Sequence, residues 1–174
     1  MLGRPTAVLA LLLCVGAGAA HAHEYSAKGV SVLHPWARAT PGGATVGAAY
    51  LEIKTGAGTA DRLIGAKSPV AGRAEIHTHI AEGDVMRMRR VEALPLPPGK
   101  SHVLAPSGDH VMLFDLKRAL KEGDSIKLTL VFEKAGEIEV DASVEPLGAK
   151  GPHGFEGQPG HEHDHRADEA SRKH

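Results

Sequence analysis

The sequence predicts an all-β fold, an antiparallel β-sandwich or barrel, and three observations point to it. The apolar runs between residues 30 and 144 are short and rich in β-branched residues. Gly, Pro and Asp separate them at intervals of about ten residues, and several alternate apolar and polar positions. Many short strands at that spacing belong to sandwiches and barrels rather than to α/β units.

The expected strands run in order along the chain. Residues 30–33 and 46–53 flank the Pro-Gly-Gly turn of residues 41–43. Residues 62–67 begin after Asp61 and stop before Ser68-Pro69. Residues 74–80 and 85–91 flank Glu82-Gly83, a connection whose glycine can take the positive φ of a tight hairpin. Residues 102–104 come after Pro-Pro-Gly, and 111–116 after Gly108-Asp109. Residues 126–132 place Ile126, Leu128, Leu130 and Phe132 on one face, and 138–144 complete the series. Only residues 117–122 have a helical look, of one or two turns.

The length of 174 residues suits one domain. Lys plus Arg total 20 and Asp plus Glu 21, for a net charge of −1, with no basic stripe. That balance gives no field for nucleic acid. Aromatic content of 3% argues against base- or sugar-stacking platforms. Residues 1–22 read as a cleaved secretory signal, with Arg4 ahead of an apolar run too short to span a bilayer and a small-x-small site at Ala20-His21-Ala22. Cleavage after Ala20 would make His23 the third residue of the mature chain. The single cysteine, Cys14, lies inside this segment. The exported chain, expected in the periplasm without membrane insertion after cleavage, then has no disulfide and no thiolate. Residues 23–146 form the folded unit. Residues 147–174 hold Phe155 as almost their only large apolar side chain and are expected to be a disordered, His-rich tail.

Twelve histidines mark the composition. Beyond the initiator, the methionines are Met86, Met88 and Met112, confined to the window that also holds His77, His79, His102 and His110. A two-residue turn at Glu82-Gly83 would set His77 opposite Met88 and His79 opposite Met86, all on one face. His110 and Met112 share a face of a later strand. Two imidazoles and two thioethers make a soft, neutral donor set that disfavours Mg²⁺ and Ca²⁺ and suits Cu(I), whereas zinc usually recruits cysteine or a carboxylate. Taken singly, each of these residues reads as an ordinary strand residue; the combination is what points to a metal. His34 and His102 read as structural or exposed, and Trp36 and Tyr50 as core anchors.

The spacing His77-x10-Met88-x21-His110-x-Met112 matches the H-x10-M-x21-H-x-M motif of periplasmic PCuAC copper chaperones. The segments HPWARATPGGATVGAAYLEI, DRLIGAKSPVAGRAEIHTH, DVMRMRRV and LPPGKSHVLAPSGDHVMLFDL resemble that family in the same order. The resemblance implies a cupredoxin-like β-sandwich that lacks the blue-copper cysteine. It also implies that His77, Met88, His110 and Met112 hold Cu(I) for delivery to a copper-accepting protein, such as a cytochrome c oxidase subunit or another copper chaperone. His79 stands where many members carry methionine, and Lys54-Thr55 where an asparagine turn is common. The first could tune affinity or allow a second ligand arrangement, and the second should affect only a loop. His79 and Met86 are candidate auxiliary ligands.

In the tail, His153, His161, His163 and His165, with Glu162 and Asp164, form a candidate Cu(II) site of nitrogen and oxygen donors. No nucleophile series, phosphate loop or suitably placed carboxylate pair supports catalysis. The expectation is a monomeric, non-enzymatic copper chaperone acting in copper homeostasis and oxidase assembly. Copper sequestration or uptake, and a copper-dependent redox enzyme, are the alternatives.

Overall fold

The computed structural model describes residues 25–83 and 85–152, and among these no helix forms. The strands are β1 (Tyr25–Ala27), β2 (Val30–Arg38), β3 (Val46–Thr55), β4 (Asp61–Lys67), β5 (Arg73–Glu82), β6 (Val85–Arg90), β7 (Leu94–Leu96), β8 (Ser101–Leu104), β9 (His110–Phe114), β10 (Ser125–Phe132) and β11 (Gly136–Glu145). Pairing runs β2–β11–β10–β4–β5–β9–β3 and returns to β2, which closes a ring. β1, β6, β7 and β8 attach at its margins, on β2, β5, β4 and β3. The all-β expectation therefore holds, with one departure from antiparallel order: β11 runs parallel to β2.

Period-two alternation fills the interior. Ile126, Leu128, Leu130 and Phe132 are buried, as are Ile138, Val140, Ala142 and Val144 on the adjoining β11. Across the ring, Ala49, Leu51, Ile53, Ile76, Val111 and Leu113 join the same core. Their strand neighbours face outward. That outer face carries His77 and His79 on β5 and His110 on β9.

Several sequence expectations change here. β1 is not among the expected strands; its three residues pair with Val30, Ser31 and Val32. β7 is not among the expected strands; Leu94 and Leu96 are buried around Pro95 against β4. β2 runs on through His34-Pro35 to Arg38, with a pairing irregularity between Leu33 and Trp36 and His34 at φ 49°. A bulge of this kind kinks a strand and re-aims the residues beyond it. Residues 117–122 form bends and a turn rather than a helix. Lys54-Thr55 closes β3 instead of lying in a loop, and buried Thr55 donates to the carbonyl of Pro97 at 2.6 Å. Residues 147–152, which open the expected tail, are fastened: Arg38 donates from Nε and Nη2 to the carbonyl of Ala149 at 2.9 and 2.7 Å. The remaining signal, tail and His23 readings lie outside the described residues.

Buried Asp61 ties β4 to the β10–β11 connection by accepting from the backbone N–H groups of Arg62, Lys134 and Ala135 at 2.7, 2.9 and 2.8 Å. Burial pushes its carboxyl upward, but these donors and nearby Lys134 outweigh that and hold it below the usual carboxylate range. Its contribution is therefore present above about pH 4 and is lost as pH falls through the lowered folded value. Asp61→Ala should cost about 2–4 kcal/mol in urea unfolding at pH 7, because it strands backbone donors that a charged acceptor satisfied. A loss below about 1 kcal/mol would mean that water replaces the carboxylate.

Candidate metal centre

Register decides which side chains meet. β5 pairs with β9 so that His77 lies opposite His110 and Glu75 opposite Met112. On its other side β5 pairs with β6, with His77 opposite Arg90, His79 opposite Met88 and Ala81 opposite Met86. This corrects the expected hairpin, in which His77 faced Met88 and His79 faced Met86. Glu82 closes on Val85, and Gly83 takes φ 63° as the first loop residue rather than the second. A positive φ at that first position is what both common two-residue hairpin turns require. The register moves by an even step, so the same-face expectation survives.

On this lattice Met112 and Met88 are the two diagonal neighbours of His77, one on each flank. Diagonal pairs sit about 7–8 Å apart, within reach of long side chains. Met88 and Met86 are 47% and 60% exposed, while His110 is 1% exposed. The site thus has a closed histidine floor and an open methionine rim.

Each key ring is aimed by a neighbour that the sequence reading did not single out. Glu75 Oε2 lies 2.9 Å from His77 Nε2. The hydrogen bond from His77, opposed by burial and aided by Arg73 and Arg90, holds the Glu75 carboxyl below its usual range. An ionised carboxylate only accepts, so the neutral imidazole carries its proton on Nε2 and leaves Nδ1 as a lone pair. His110 Nδ1 donates to the carbonyl of Gly108 at 2.9 Å, which leaves Nε2 as the lone pair. Among the described residues, His77 Nδ1 and His110 Nε2 are the buried side-chain nitrogen and oxygen atoms that find no hydrogen-bond partner. The rings are 6.1 Å apart, with Phe114 5.6 Å from His77 and Tyr50 6.3 Å from His110. Buried polar atoms are normally paired, and an orphan costs about 1–3 kcal/mol. Two unpaired lone pairs side by side can accept a metal ion.

The family described as "LpqE-like: Putative lipoprotein LpqE-like" matches residues 30–144. The chain belongs to that LpqE-like family. A curated relative, "Putative lipoprotein Lxx21020" of Leifsonia xyli subsp. xyli (strain CTCB07), is 33% identical over 149 residues, spanning 81% of this chain and 88% of that protein. Among solved structures, the copper-bound PCuAC domain from PmoF2 is 39% identical, with a TM-score of 0.62 over 71% of this chain and 98% of that one. The solution structure of CuI-DR1885 from Deinococcus radiodurans is 29% identical, with a TM-score of 0.55 over 74% and 85%. These neighbours share the LpqE-like chain's β-sandwich.

Within this LpqE-like domain the candidate ligands divide. His77, His110 and Met112 sit on adjoining strands, Met88 joins from β6, and His79 lies directly beside Met88. Met86 is one step further out, beside Ala81. His102 is off the site and pairs with Asp109 at 2.7 Å. Trp36 and Tyr50 are buried, their ring centroids 4.5 Å apart and tilted by 36°. His153, His161, His163 and His165 lie outside the described residues. Glu75 was legible in principle, since it precedes His77 by two on the same strand face. Gly108 was not, because a carbonyl leaves no residue-type signal.

Burial chiefly, together with His79 and His77, pushes the His110 imidazole below its ordinary value, although Gly108 and Asp109 pull the other way. The unfolded chain therefore binds this proton more readily, so stability falls as pH drops below about 6.5. In the metal-free protein, the urea midpoint should decline between about pH 7 and 5. His110→Leu should flatten that decline; an unchanged slope would assign it to other groups.

Proposed function

We propose that this protein is an exported copper chaperone of the PCuAC type, which takes a cuprous ion at His77, Met88, His110 and Met112 and passes it to an acceptor. The observation that carries this reading is the pair of orphaned lone pairs, His77 Nδ1 and His110 Nε2, at two of the four motif positions. Thioethers at the other two make the donor set soft, which favours the cuprous ion. Solved PCuAC relatives include one described as copper-bound and one as CuI-DR1885, which supports copper as the cargo. The exposed rim suits delivery over storage, because an incoming donor can displace a methionine without unfolding the sheet. The acceptor we favour is a cytochrome c oxidase subunit, with another copper chaperone as the alternative. The lipoprotein description of the curated relative fits export. The His-rich tail serves as a separate cupric site through His153, His161, His163 and His165.

X-ray absorption on the protein loaded with one equivalent of Cu(I) should show mixed nitrogen and sulfur scattering. Met88→Leu and Met112→Leu should each weaken sulfur scattering and lower cuprous affinity at least about tenfold, a loss of about 1.4 kcal/mol. Leucine nearly preserves volume, so unfolding midpoints should barely move. Wild-type affinity in both variants would refute the ligand assignment.

A truncation after Pro152 keeps the Arg38–Ala149 contact and tests the tail. It should remove a cupric binding event and leave cuprous stoichiometry at one. Imidazoles bind metal only when neutral, so the tail's cupric binding should weaken between about pH 7 and 5, and cuprous binding less so, because thioethers do not titrate. Unchanged cupric binding after truncation would reduce the tail to a solvated extension.

A further inference from the structure

A cavity of about 140 Å³ lies between β2, β3, β8 and residues 150–152. Trp36, Leu51, Val103, Leu104 and Pro106 give it a largely apolar lining, and Val103 at its edge is 60% exposed. An apolar cavity of roughly 150 Å³ accepts a benzene molecule, so this space suits one phenyl ring.

Pro152, the last described residue, is itself part of the wall. Arg38 holds the chain just before it, at the Ala149 carbonyl. Residues 153–174 contain one large apolar side chain, Phe155, three residues further on. Three residues reach about 10 Å, enough to turn that ring back into the space that Pro152 borders. Because the chain is already held as far as Pro152, docking orders only residues 153–155, against the burial of a whole phenyl ring. That balance makes a reversible latch.

The cavity also adjoins the histidines. Trp36 lies opposite Tyr50, whose ring is 6.3 Å from that of His110. β2, β3 and β9 are successive neighbours, so the cavity is two strands, about 10 Å, from His110. Ala105 and Pro106 of its wall open the loop whose Gly108 carbonyl aims His110.

We propose that Phe155 docks in this cavity and latches the chain's own C-terminal segment onto the sheet face that carries the candidate metal centre. Docking itself needs no metal. Its consequence for copper rests on the chaperone reading. His161, six residues beyond Phe155, stays within about 20 Å of the latch, so the run His161 to His165 is held over the face of His77 and His110. A tether of that length keeps tail and centre at high effective concentration for each other.

The test uses the metal-free exported chain. Phe155 ring protons should show nuclear Overhauser contacts to the Val103 methyls. Those methyl resonances should move when Phe155→Ala, or truncation after Pro152, removes the ring. Val103→Glu places a charge in the cavity at an exposed position. Chymotrypsin should then cut after Phe155 at least about threefold faster than in the parent, the release of a latch worth about 0.65 kcal/mol. Identical Val103 resonances in the full and truncated chains, or equal cleavage rates in Val103→Glu, would overturn the proposal. So would contacts seen only between labelled and unlabelled chains, which would give the cavity to the tail of a second copy. Absence of Cu(I) binding with the contacts intact would overturn the chaperone reading and leave the latch standing.

Discussion

The candidate metal centre depends on a single cross-strand pair, His77 of β5 opposite His110 of β9. That register brings two imidazoles together on the outer face of the sheet, while Ile76 and Val111, their strand neighbours, are buried in the core. A slip of one residue between these strands would send the histidines inward and the core residues out. The hydrophobic interior and the candidate metal centre are therefore specified by the same constraint. Alternation locks them together.

Register places the rings, and hydrogen bonds select their tautomers. Glu75 and the Gly108 carbonyl each take a proton-bearing nitrogen and leave the other nitrogen unpaired. The Gly108 segment is itself braced: Ala105 N–H donates to the Asp109 carbonyl at 2.8 Å, and the His102–Asp109 pair ties the loop to β8. This pre-orients both imidazoles, so a metal bound there as proposed would forfeit little side-chain entropy at the floor of the site. The methionine rim is the opposite case. Met88 and Met86 stand on β6, an edge strand whose residues are all exposed, with Arg87 and Arg89 paired to Glu82. A rigid nitrogen floor beneath an exposed thioether rim suits the proposed chaperone role, which requires both tight binding and release.

Much of this was legible in the sequence because period-two patterning carries over directly into which face a residue occupies. Ile126 to Phe132 were placed correctly on that basis, and His77, His79, Met86 and Met88 were put on one face. What failed was register across the hairpin. Sequence shows that Gly83 bends the chain but not whether it stands first or second in the loop, and that choice moved Met88 from His77 to His79. The short β1 and β7 were missed because marginal strands owe their form to neighbours rather than to their own pattern. The helical look of residues 117–122 was overridden by tertiary context in the same way. The ring closure through parallel β2 and β11 leaves no local signal. Nor does the Gly108 carbonyl, since backbone acceptors are invisible in residue identity.

The central claim is that His77 Nδ1 and His110 Nε2 are the nitrogen donors to a cuprous ion. Long-range ¹⁵N–¹H correlation NMR of the imidazoles, before and after one equivalent of Cu(I), reads each ring nitrogen separately. The account predicts large shifts at His77 Nδ1 and His110 Nε2, with His77 Nε2 and His110 Nδ1 remaining protonated. Shifts confined to the tail histidines, or metal-induced change at His77 Nε2 with Nδ1 unaffected, would contradict it.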